Sequence, residues 1–248
     1  MRLYQENGYD GMSRRTAGII AAQLIAKPDC VLGLATGSTP VGAYQQLAAW
    51  HREGGLSFQE VTCVNLDEYK GLAPDHDQSY RYFMQHNLFD HVDVRPGFTN
   101  VPDGLAADPA AECLRYDTLI RDLGGIDLQL LGLGRNGHIG FNEPGDAFVR
   151  PTHVVDLTPS TIEANARFFA NAGEVPRQAL TMGIGAIMAA RHVVVAVSGA
   201  DKAQAVHDAF CGPVTPQVPA SILQLHPHVT LVGDAPALKL LLEAGGPA

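Results

Sequence analysis

The sequence predicts an α/β protein with a single doubly wound, mostly parallel sheet that carries helices on both faces. Short apolar runs alternate with longer stretches of helical spacing, which is the pattern of repeated strand–helix units. Most of the apolar runs are continuous instead of alternating, as expected for strands covered on both faces. No low-complexity linker or internal repeat divides the 248 residues, so we expect one domain over residues 1–248.

The predicted strands are the apolar runs that end at a polar or glycine-containing loop. In chain order they lie at residues 30–34, 61–66, 128–131, 154–157, 193–197 and 229–232. The predicted helices lie at residues 13–26, 41–53, 79–89, 109–123, 160–169, 183–190, 202–210 and 236–244. Between residues 146 and 179 the pattern loosens and mixes Pro, Asn and Gly with aromatic residues, which we interpret as a mobile lid.

Composition limits the partners that we expect. A net charge of -9 argues against binding to nucleic acid or to an anionic membrane surface. No apolar run reaches the roughly 18 residues of a membrane span, and the N-terminus has no apolar signal core. The four cysteines form no CxxC pair, so we expect a reduced, cytoplasmic protein. His226 and His228 flank a proline with no third ligand nearby, so we expect no metal site.

Ligands of such sheets bind beyond the carboxyl ends of strands, so the loops at those ends are the first place to look for a site. The loop after the first predicted strand reads Thr36-Gly37-Ser38-Thr39-Pro40. Pro40 suits the first helical position and Thr39 the cap before it. Hydroxyl and amide groups at the positive end of a helix predict a phosphate site, and simple helix capping is the alternative. No lysine follows, so a nucleoside-triphosphate loop is not predicted.

The next predicted strand runs into Asn65-Leu66-Asp67-Glu68-Tyr69, which places two adjacent carboxylates in a loop. Adjacent side chains in a loop tend to face different ways, so one carboxylate is expected in solvent. A carboxylate beside an apolar cleft keeps a raised pKa and suits a general base. Helix capping or solvation is the alternative for both.

After the strand at residues 128–131, glycines at 132, 134, 137 and 140 surround a histidine. His138 can move protons at oxygen near neutral pH, and Asn136 or Glu143 can hold one ring nitrogen. Apolar Ile139 and Phe141 favour burial, so we interpret the segment as an active-site loop at the end of a buried strand.

The same segment fits the GxGxxG dinucleotide fingerprint at residues 132–137, with Asp156 near the spacing of a ribose-binding acid. That fingerprint requires a helix that begins within the motif, so that its N-terminus meets the pyrophosphate. Gly140, Pro144 and Gly145 break such a helix, which disfavours the dinucleotide interpretation.

Two basic residues are candidate phosphate partners. Arg167 precedes two phenylalanines, and Lys202 follows the polar loop after the strand at 193–197. The alternative for each residue is a solvated charge on the protein surface. The chain has only 17 Lys and Arg residues, so a basic residue near a predicted site is informative.

Taken together, these motifs resemble the glucosamine-6-phosphate deaminase family nearly end to end. The matching segments, in the family's order, are residues 36–40, 65–69, 137–144, 165–169 and 221–226. The resemblance implies a modified Rossmann-like fold. It also implies an enzyme of amino sugar catabolism that converts glucosamine 6-phosphate and water to fructose 6-phosphate and ammonia, without metal or cofactor.

The resemblance also implies roles for single residues. His138 would take the proton of the anomeric hydroxyl and help to open the sugar ring, with Glu143 orienting it. Asp67 would then move a proton from carbon 2 to carbon 1. The phosphate would be held by Ser38 and Thr39, with Thr36 and Gly37 beside them, and by two basic side chains, Arg167 and Lys202.

The sequence departs from the family at two points. Many relatives carry Asp where this chain has Asn136, which can orient His138 but supplies no charge to stabilise an imidazolium. His153 and Val155 stand where allosteric, hexameric relatives have basic residues, and the sequence ends at Ala248 without their C-terminal extension. We therefore expect a monomer or small homo-oligomer that N-acetylglucosamine 6-phosphate does not activate.

Two other functions remain open on the sequence alone. A 6-phosphogluconolactonase has a related fold and also uses a histidine after a glycine-rich turn, but residues 67–69 and 141–144 favour the deaminase. A sugar-phosphate sensor of the kind found in transcription regulators needs a DNA-reading helix-turn-helix. The first predicted strand lies too near the N-terminus for that motif, and the net acidity also disfavours it.

Overall fold

A computed structural model of the chain describes residues 1–166, 169, 171 and 173–246. The strands are β1 (Arg2–Glu6), β2 (Val31–Leu34), β3 (Thr62–Asn65), β4 (Asp67–Tyr69), β5 (Thr99–Asn100), β6 (Leu128–Leu131), β7 (His153–Asp156), β8 (Gln178–Thr181), β9 (His192–Val197) and β10 (Val229–Asp234). The α-helices are α1 (Gly8–Ala26), α2 (Val41–Arg52), α3 (Tyr80–Asn87), α4 (Pro109–Asp122), α5 (Pro159–Asn165), α6 (Ile184–Ala189), α7 (Ala203–Phe210) and α8 (Ala235–Glu243).

Seven strands form the central sheet in the order β1-β10-β9-β6-β2-β3-β5, and every neighbouring pair in it is parallel. The predicted doubly wound α/β class is therefore confirmed. The chain runs outward from β2 through β3 to β5 and then returns to the other side of β2 as β6. The strand order thus reverses between β2 and β6, so the loops after these two strands border one crevice.

Three strands form a separate antiparallel sheet in the order β4-β8-β7. Residues 154–157 were expected in the parallel sheet and Asp67 in a loop, and both expectations are wrong. The Leu66 amide still donates to the Leu34 carbonyl of the large sheet, at 3.1 Å, and the next residue already begins β4. Asp67 is paired with Thr181 of β8, so a strand and not a loop fixes its backbone.

Strands β1, β5 and β8 were not predicted either. Strand β1 is a polar edge strand in which only Leu3 and Tyr4 pack on the core. Strand β5 has only two residues. Neither forms the continuous apolar run from which the other strands were predicted.

The predicted helices exist, and side-chain caps mark several of their starts. Ser79, Asp108, Thr158 and Asp234 accept hydrogen bonds from the first-turn amides of α3, α4, α5 and α8. Helix α1 begins at Gly8, earlier than predicted. The prediction missed its start because the first turn is polar and does not continue the apolar pattern. The helix predicted over 160–169 is α5, and residues 167 and 168 of that range lie outside the described residues.

Two apolar clusters hold the molecule together. The large one fills the space between the seven-stranded sheet and its helices. The small one consists of Tyr69, Phe141, Leu157, Ile162, Val175 and Ala179. It joins β4, the histidine loop and the segment at 146–179, so the segment predicted to be a lid shares an apolar cluster with the site. Its motion stays a prediction. No helix in the described part of the chain is both long and apolar enough to cross a membrane.

Candidate active site

A cavity of about 880 Å³ opens at the carboxyl edge of the central sheet, among the loops that follow β2, β3, β6 and β9. The predicted site residues that line it are Thr36, Gly37, Ser38, Thr39, Asp67, Asn136, His138 and Lys202. Glu143 lies in contact with His138 but does not line the cavity. Arg167 lies outside the described residues, so its predicted role in phosphate binding stays a prediction.

The loop after β2 ends at Pro40. Pro40, and not Thr39, is the residue before α2, and it makes no side-chain capping hydrogen bond. Thr39 is therefore not at the cap position that the sequence predicted. Tyr9 fixes the loop from outside, because its hydroxyl donates to the Ser38 carbonyl at 2.9 Å and accepts the Gly42 amide at 2.8 Å. Gly37 has φ +90°, a backbone conformation that favours glycine.

The two adjacent carboxylates have different surroundings. Glu68 accepts hydrogen bonds from the backbone amides of Tyr69 at 2.8 Å, Tyr80 at 2.9 Å and Arg81 at 2.9 Å. It therefore satisfies amides in the first turn of α3, and it does not line the cavity. Its role is structural, which was the alternative left open for both carboxylates.

Asp67 is the carboxylate that faces the cavity. Only 5% of Asp67 is exposed, and burial, with a smaller effect of the Glu68 charge, raises the pKa of its carboxyl well above the usual value. The histidine loop passes close to it, since a methyl group at Gly140 would lie 3.5 Å from Asp67 Oδ2. A buried carboxylate with a raised pKa at a cleft suits a general base, as predicted for one of the pair.

Glycines allow the loop after β6 to bring His138 against its own backbone. A methyl group at Gly134 would lie 2.4 Å from His138 Nε2, so the imidazole ring rests on Gly134. Gly137 and Gly140 have φ values of +83° and +58°, which L side chains rarely adopt. The geometry of the histidine loop therefore favours glycine at each of these three positions.

Glu143 and Asn136 hold the buried side of His138. The His138 Nδ1 atom is buried and lies 3.5 Å from Glu143 Oε2. Asn136 Nδ2 donates to that oxygen at 2.7 Å, and Asn136 Oδ1 accepts the His138 amide at 3.2 Å. Asn136 thus bridges the two residues through its amide, without a charge.

Glu143 is the charged partner of the histidine. Burial alone would raise the pKa of its carboxyl. The interaction with His138 and hydrogen bonds from Thr161 and Asn136 outweigh burial, so the pKa is lowered. The Thr161 hydroxyl donates to Glu143 Oε1. Glu143 is therefore a carboxylate at neutral pH and can stabilise positive charge on the imidazole.

Lys202 reaches the cavity from the loop after β9. Its Nζ donates to the Leu133 carbonyl at 2.7 Å, which ties this loop to the loop after β6. Asp234 holds the same loop from behind, since it accepts the Ser198 hydroxyl at 2.5 Å and caps α8. Arg135 at the rim pairs with Asp201 at 2.8 Å. A positive charge therefore lines the same cavity as the hydroxyl-rich loop.

Tyr80 and Thr161 are among the cavity-lining residues that the sequence did not predict. Tyr80 lines the cavity from the first position of α3 and stacks on Phe141, with ring centroids 5.8 Å apart. Thr161 lines it from α5 and holds Glu143. Both stand inside helical stretches with no motif around them, so no signal in the sequence distinguished them.

The dinucleotide and metal interpretations find no support in the geometry. Residues 132–152 contain turns and no helix, so the helix that GxGxxG requires is absent there. His226 Nε2 lies 2.8 Å from the Ala190 carbonyl. Among the residues that the structure describes, no three His, Cys, Asp or Glu side chains are grouped to hold a metal ion.

Comparison with known proteins identifies the family of this chain. The sequence model of the glucosamine-6-phosphate isomerases/6-phosphogluconolactonase family matches residues 5–232. The chain belongs to this family. Within it, the chain is 56% identical over 232 residues to the glucosamine-6-phosphate deaminase of Lachnoclostridium phytofermentans, covering 94% of this chain and 98% of that one. It is 55% identical over 241 residues to the deaminase of a Geobacillus species, covering 97% and 96%.

Solved structures of the family agree with the fold. A monomeric glucosamine-6-phosphate deaminase superposes with a TM-score of 0.95 at 47% identity, covering 97% of this chain and 100% of that one. A 6-phosphogluconolactonase from Trypanosoma cruzi superposes with a TM-score of 0.77 at 18% identity, covering 97% and 96%. At that identity the second likeness shows a shared fold alone.

Proposed function

We propose that this chain is a glucosamine-6-phosphate deaminase, which converts glucosamine 6-phosphate and water to fructose 6-phosphate and ammonia. The observation that carries the proposal is one cavity lined by a buried carboxylate, Asp67, and by a histidine with a carboxylate partner, His138 and Glu143. The names and the high identity of the relatives support the same activity.

The first step in this proposal is opening of the sugar ring. His138 Nδ1 faces Glu143, so Nε2 is the nitrogen available to take the proton of the anomeric hydroxyl. It passes this proton to the ring oxygen as the bond between carbon 1 and that oxygen breaks. The lowered pKa of Glu143 keeps a negative charge beside the imidazolium that forms. Asn136 fixes the geometry of this pair in place of the aspartate found in many relatives.

The second step is proton transfer between two carbons. As a carboxylate, Asp67 removes the proton on carbon 2 of the open-chain aldehyde, while oxygen 1 takes a proton from the ammonium group of the substrate to give an enediol-type intermediate. Asp67 then delivers its proton to carbon 1. The nitrogen then forms a double bond to carbon 2, and water adds there and displaces ammonia to leave the ketone. Burial of Asp67 strengthens it as a base, because the carboxylate has lost the solvation that would stabilise it.

The phosphate group of the substrate is proposed to bind at the loop after β2. Thr36, Gly37, Ser38 and Thr39 line the cavity, and Lys202 lines the same cavity. Arg167 is proposed as a further partner on the strength of the family motif. Holding the phosphate positions carbons 1 and 2 near Asp67 and His138.

We further propose that residues 146–179 act as a lid over this cavity. Helix α5 lies in this segment, and its Thr161 lines the cavity and donates to Glu143. Closure of the segment would thus bring a hydroxyl group to the partner of the catalytic histidine, so lid position and histidine orientation would be linked.

The protein is proposed to work as a monomer in the cytoplasm. The monomeric state of the deaminase at 47% identity supports the first part. Four free cysteines, of which Cys30, Cys63 and Cys113 are buried, support a reducing compartment. His153 and Val155, in place of basic residues, support the lack of an allosteric site.

The proposal is tested by product analysis with purified protein. With glucosamine 6-phosphate and no added metal, ammonia and fructose 6-phosphate are expected at equal rates. Hydrolysis of 6-phosphogluconolactone in place of this reaction would make the protein a lactonase. Tight binding of the sugar phosphate with neither reaction would make it a sensor.

A further inference from the structure

A second cavity, of about 870 Å³, runs along the edge strand β1, from Glu6 at its carboxyl end to Arg2 at its amino end. Helix α1 forms one wall, and β1 with the starts of β9 and β10 forms the other. We call it the amino-edge groove, defined by Arg2, Arg14, Arg15, His192 and His228. Among the described residues, none that lines this groove lines the catalytic cavity.

Basic side chains are concentrated here in an otherwise acidic protein. The chain has 17 Lys and Arg residues and a net charge of -9, yet three arginines and two histidines meet in this groove. The acidic residues of the groove are Glu6 and Asp10, and Glu6 pairs with Arg15 at 2.6 Å. Within the described part of the chain, Arg2 makes no ion pair, so its positive charge is uncompensated.

Strand register brings Arg2 and the two histidines together. Arg2 is paired with Thr230 in the neighbouring parallel strand, so their side chains share one face of the sheet. The Thr230 hydroxyl lies 2.9 Å from His192 Nε2. The His192 and His228 rings are stacked, with centroids 3.9 Å apart and planes inclined by 4°. One guanidinium and two imidazoles therefore stand at one end of the groove.

The surroundings of both imidazoles are positive. Burial, then His228, Arg2 and His226, lowers the pKa of His192 to about 4. Burial, then Arg2, His226 and the α-amino group of the chain, lowers the pKa of His228, and a hydrogen bond with the Arg191 backbone opposes them. No carboxylate is among the groups that act on either ring. An anion placed between these groups would be attracted by the Arg2 guanidinium and would favour the charged form of both imidazoles.

We propose that the amino-edge groove binds a phosphate-bearing small molecule, whose phosphate is held by Arg2, His192 and His228. A planar guanidinium matches the geometry of phosphate oxygens, and imidazoles add donors once the anion is present. The groove volume lies within the ~300–1,000 Å³ typical of small-molecule sites. Because the two cavities share no lining residue among those described, this site is separate from the one proposed for catalysis.

Nuclear magnetic resonance of the histidine rings tests this directly, with inorganic phosphate as the probe. The ring signals of His192 and His228 are assigned with single His→Gln variants and titrated in phosphate and in chloride of equal ionic strength. We expect phosphate to raise both titration midpoints, by roughly half a pH unit or more, because a bound anion favours the charged imidazole. Unchanged midpoints would overturn the proposal.

Three variants distinguish phosphate bound in the amino-edge groove from phosphate bound at another part of the protein. Arg2→Gln is expected to abolish the effect of phosphate on the two midpoints while the deaminase rate stays unchanged. Arg121→Gln, at an arginine that is 70% exposed outside the groove, is expected to keep the effect. Ser38→Ala is also expected to keep it, since Ser38 belongs to the catalytic cavity. An equal response of the wild type and Arg2→Gln would show that phosphate acts elsewhere.

Discussion

Single residues of the site owe their roles to contacts made far along the chain. Asp67 and Glu68 are adjacent and chemically alike, but Glu68 is held by the amides of Tyr80 and Arg81, whereas Asp67 faces the cavity. The sequence predicted that one of the two would be a base. It did not indicate Glu68 as structural, because the amides that bind it belong to a helix whose position depends on the fold.

The buried Asp67 carboxylate should make wild-type stability fall with pH relative to Asp67→Asn. Its folded pKa is raised above the unfolded value, so its contribution is most favourable at low pH and is lost as pH rises through the folded pKa. Above pH 7 we expect Asp67→Asn to be more stable, on the order of 1–3 kcal/mol. Urea unfolding of both proteins between pH 4 and 8 checks this, and a constant difference would contradict it.

The close approach of His138 to Gly134 gives a second prediction at this scale. Gly134→Ala would put a methyl group 2.4 Å from the ring, so the imidazole must move. We expect kcat to fall by roughly 10²-fold, the usual scale of a general acid–base group. Gly145→Ala, where the nearest atom is 3.8 Å away, is the matched control and should keep wild-type kcat. Equal rates of the two variants would argue against the predicted role of His138.

At the scale of elements, the small antiparallel sheet is the feature that could not be predicted from the sequence. Its strands β4 and β8 have three and four residues, and Asp67-Glu68-Tyr69 has the composition of a loop. Helices and central strands were predictable, since their apolar runs are long and end at caps, glycines or polar loops. Strand β4 can pair with β8 because the chain leaves the large sheet after Leu66. No local sequence pattern predicts that departure.

Helix α5 contributes Thr161, which contacts the partner of His138. Thr161→Val removes the hydroxyl that donates to Glu143, and a hydrogen bond to a charged group is worth about 1.5–3 kcal/mol. We expect kcat to fall by roughly 10-fold with little change in KM, because the group acts on His138 through Glu143. Steady-state measurement of ammonia release gives both constants.

Thr16→Val is the matched control for Thr161→Val. Thr16 is also buried, and its hydroxyl donates to the Met12 sulfur outside the catalytic cavity. This variant should lower Tm and leave kcat intact. Loss of stability with unchanged kcat in Thr161→Val as well would show that Thr161 is only structural.

At the scale of the whole molecule, the reversal of strand order between β2 and β6 creates the site. Loops separated by about a hundred residues in the chain meet there, because parallel strands end at one edge. The doubly wound class and the site at that edge were predictable from the sequence. Strand order was not, since it depends on which strands pair, and neither was the groove along β1.

The assembly state gives a prediction at this scale. We expect light scattering to show a monomer of 26.4 kDa, with hyperbolic saturation by glucosamine 6-phosphate. N-acetylglucosamine 6-phosphate should leave that curve unchanged, since this chain has His153 and Val155 where the family resemblance implies basic residues in allosteric members. A hexamer, or a shift of the curve on adding that ligand, would contradict this.

We propose that Asp67, which lines the same cavity as His138, carries out the proton transfer of a glucosamine-6-phosphate deaminase. The most direct measurement compares ammonia release from glucosamine 6-phosphate by the wild type and by Asp67→Asn, with substrate binding measured in parallel. We predict turnover by the wild type, and a loss of about 10²-fold or more in kcat with binding retained in the variant. Near-full activity of Asp67→Asn would contradict the account.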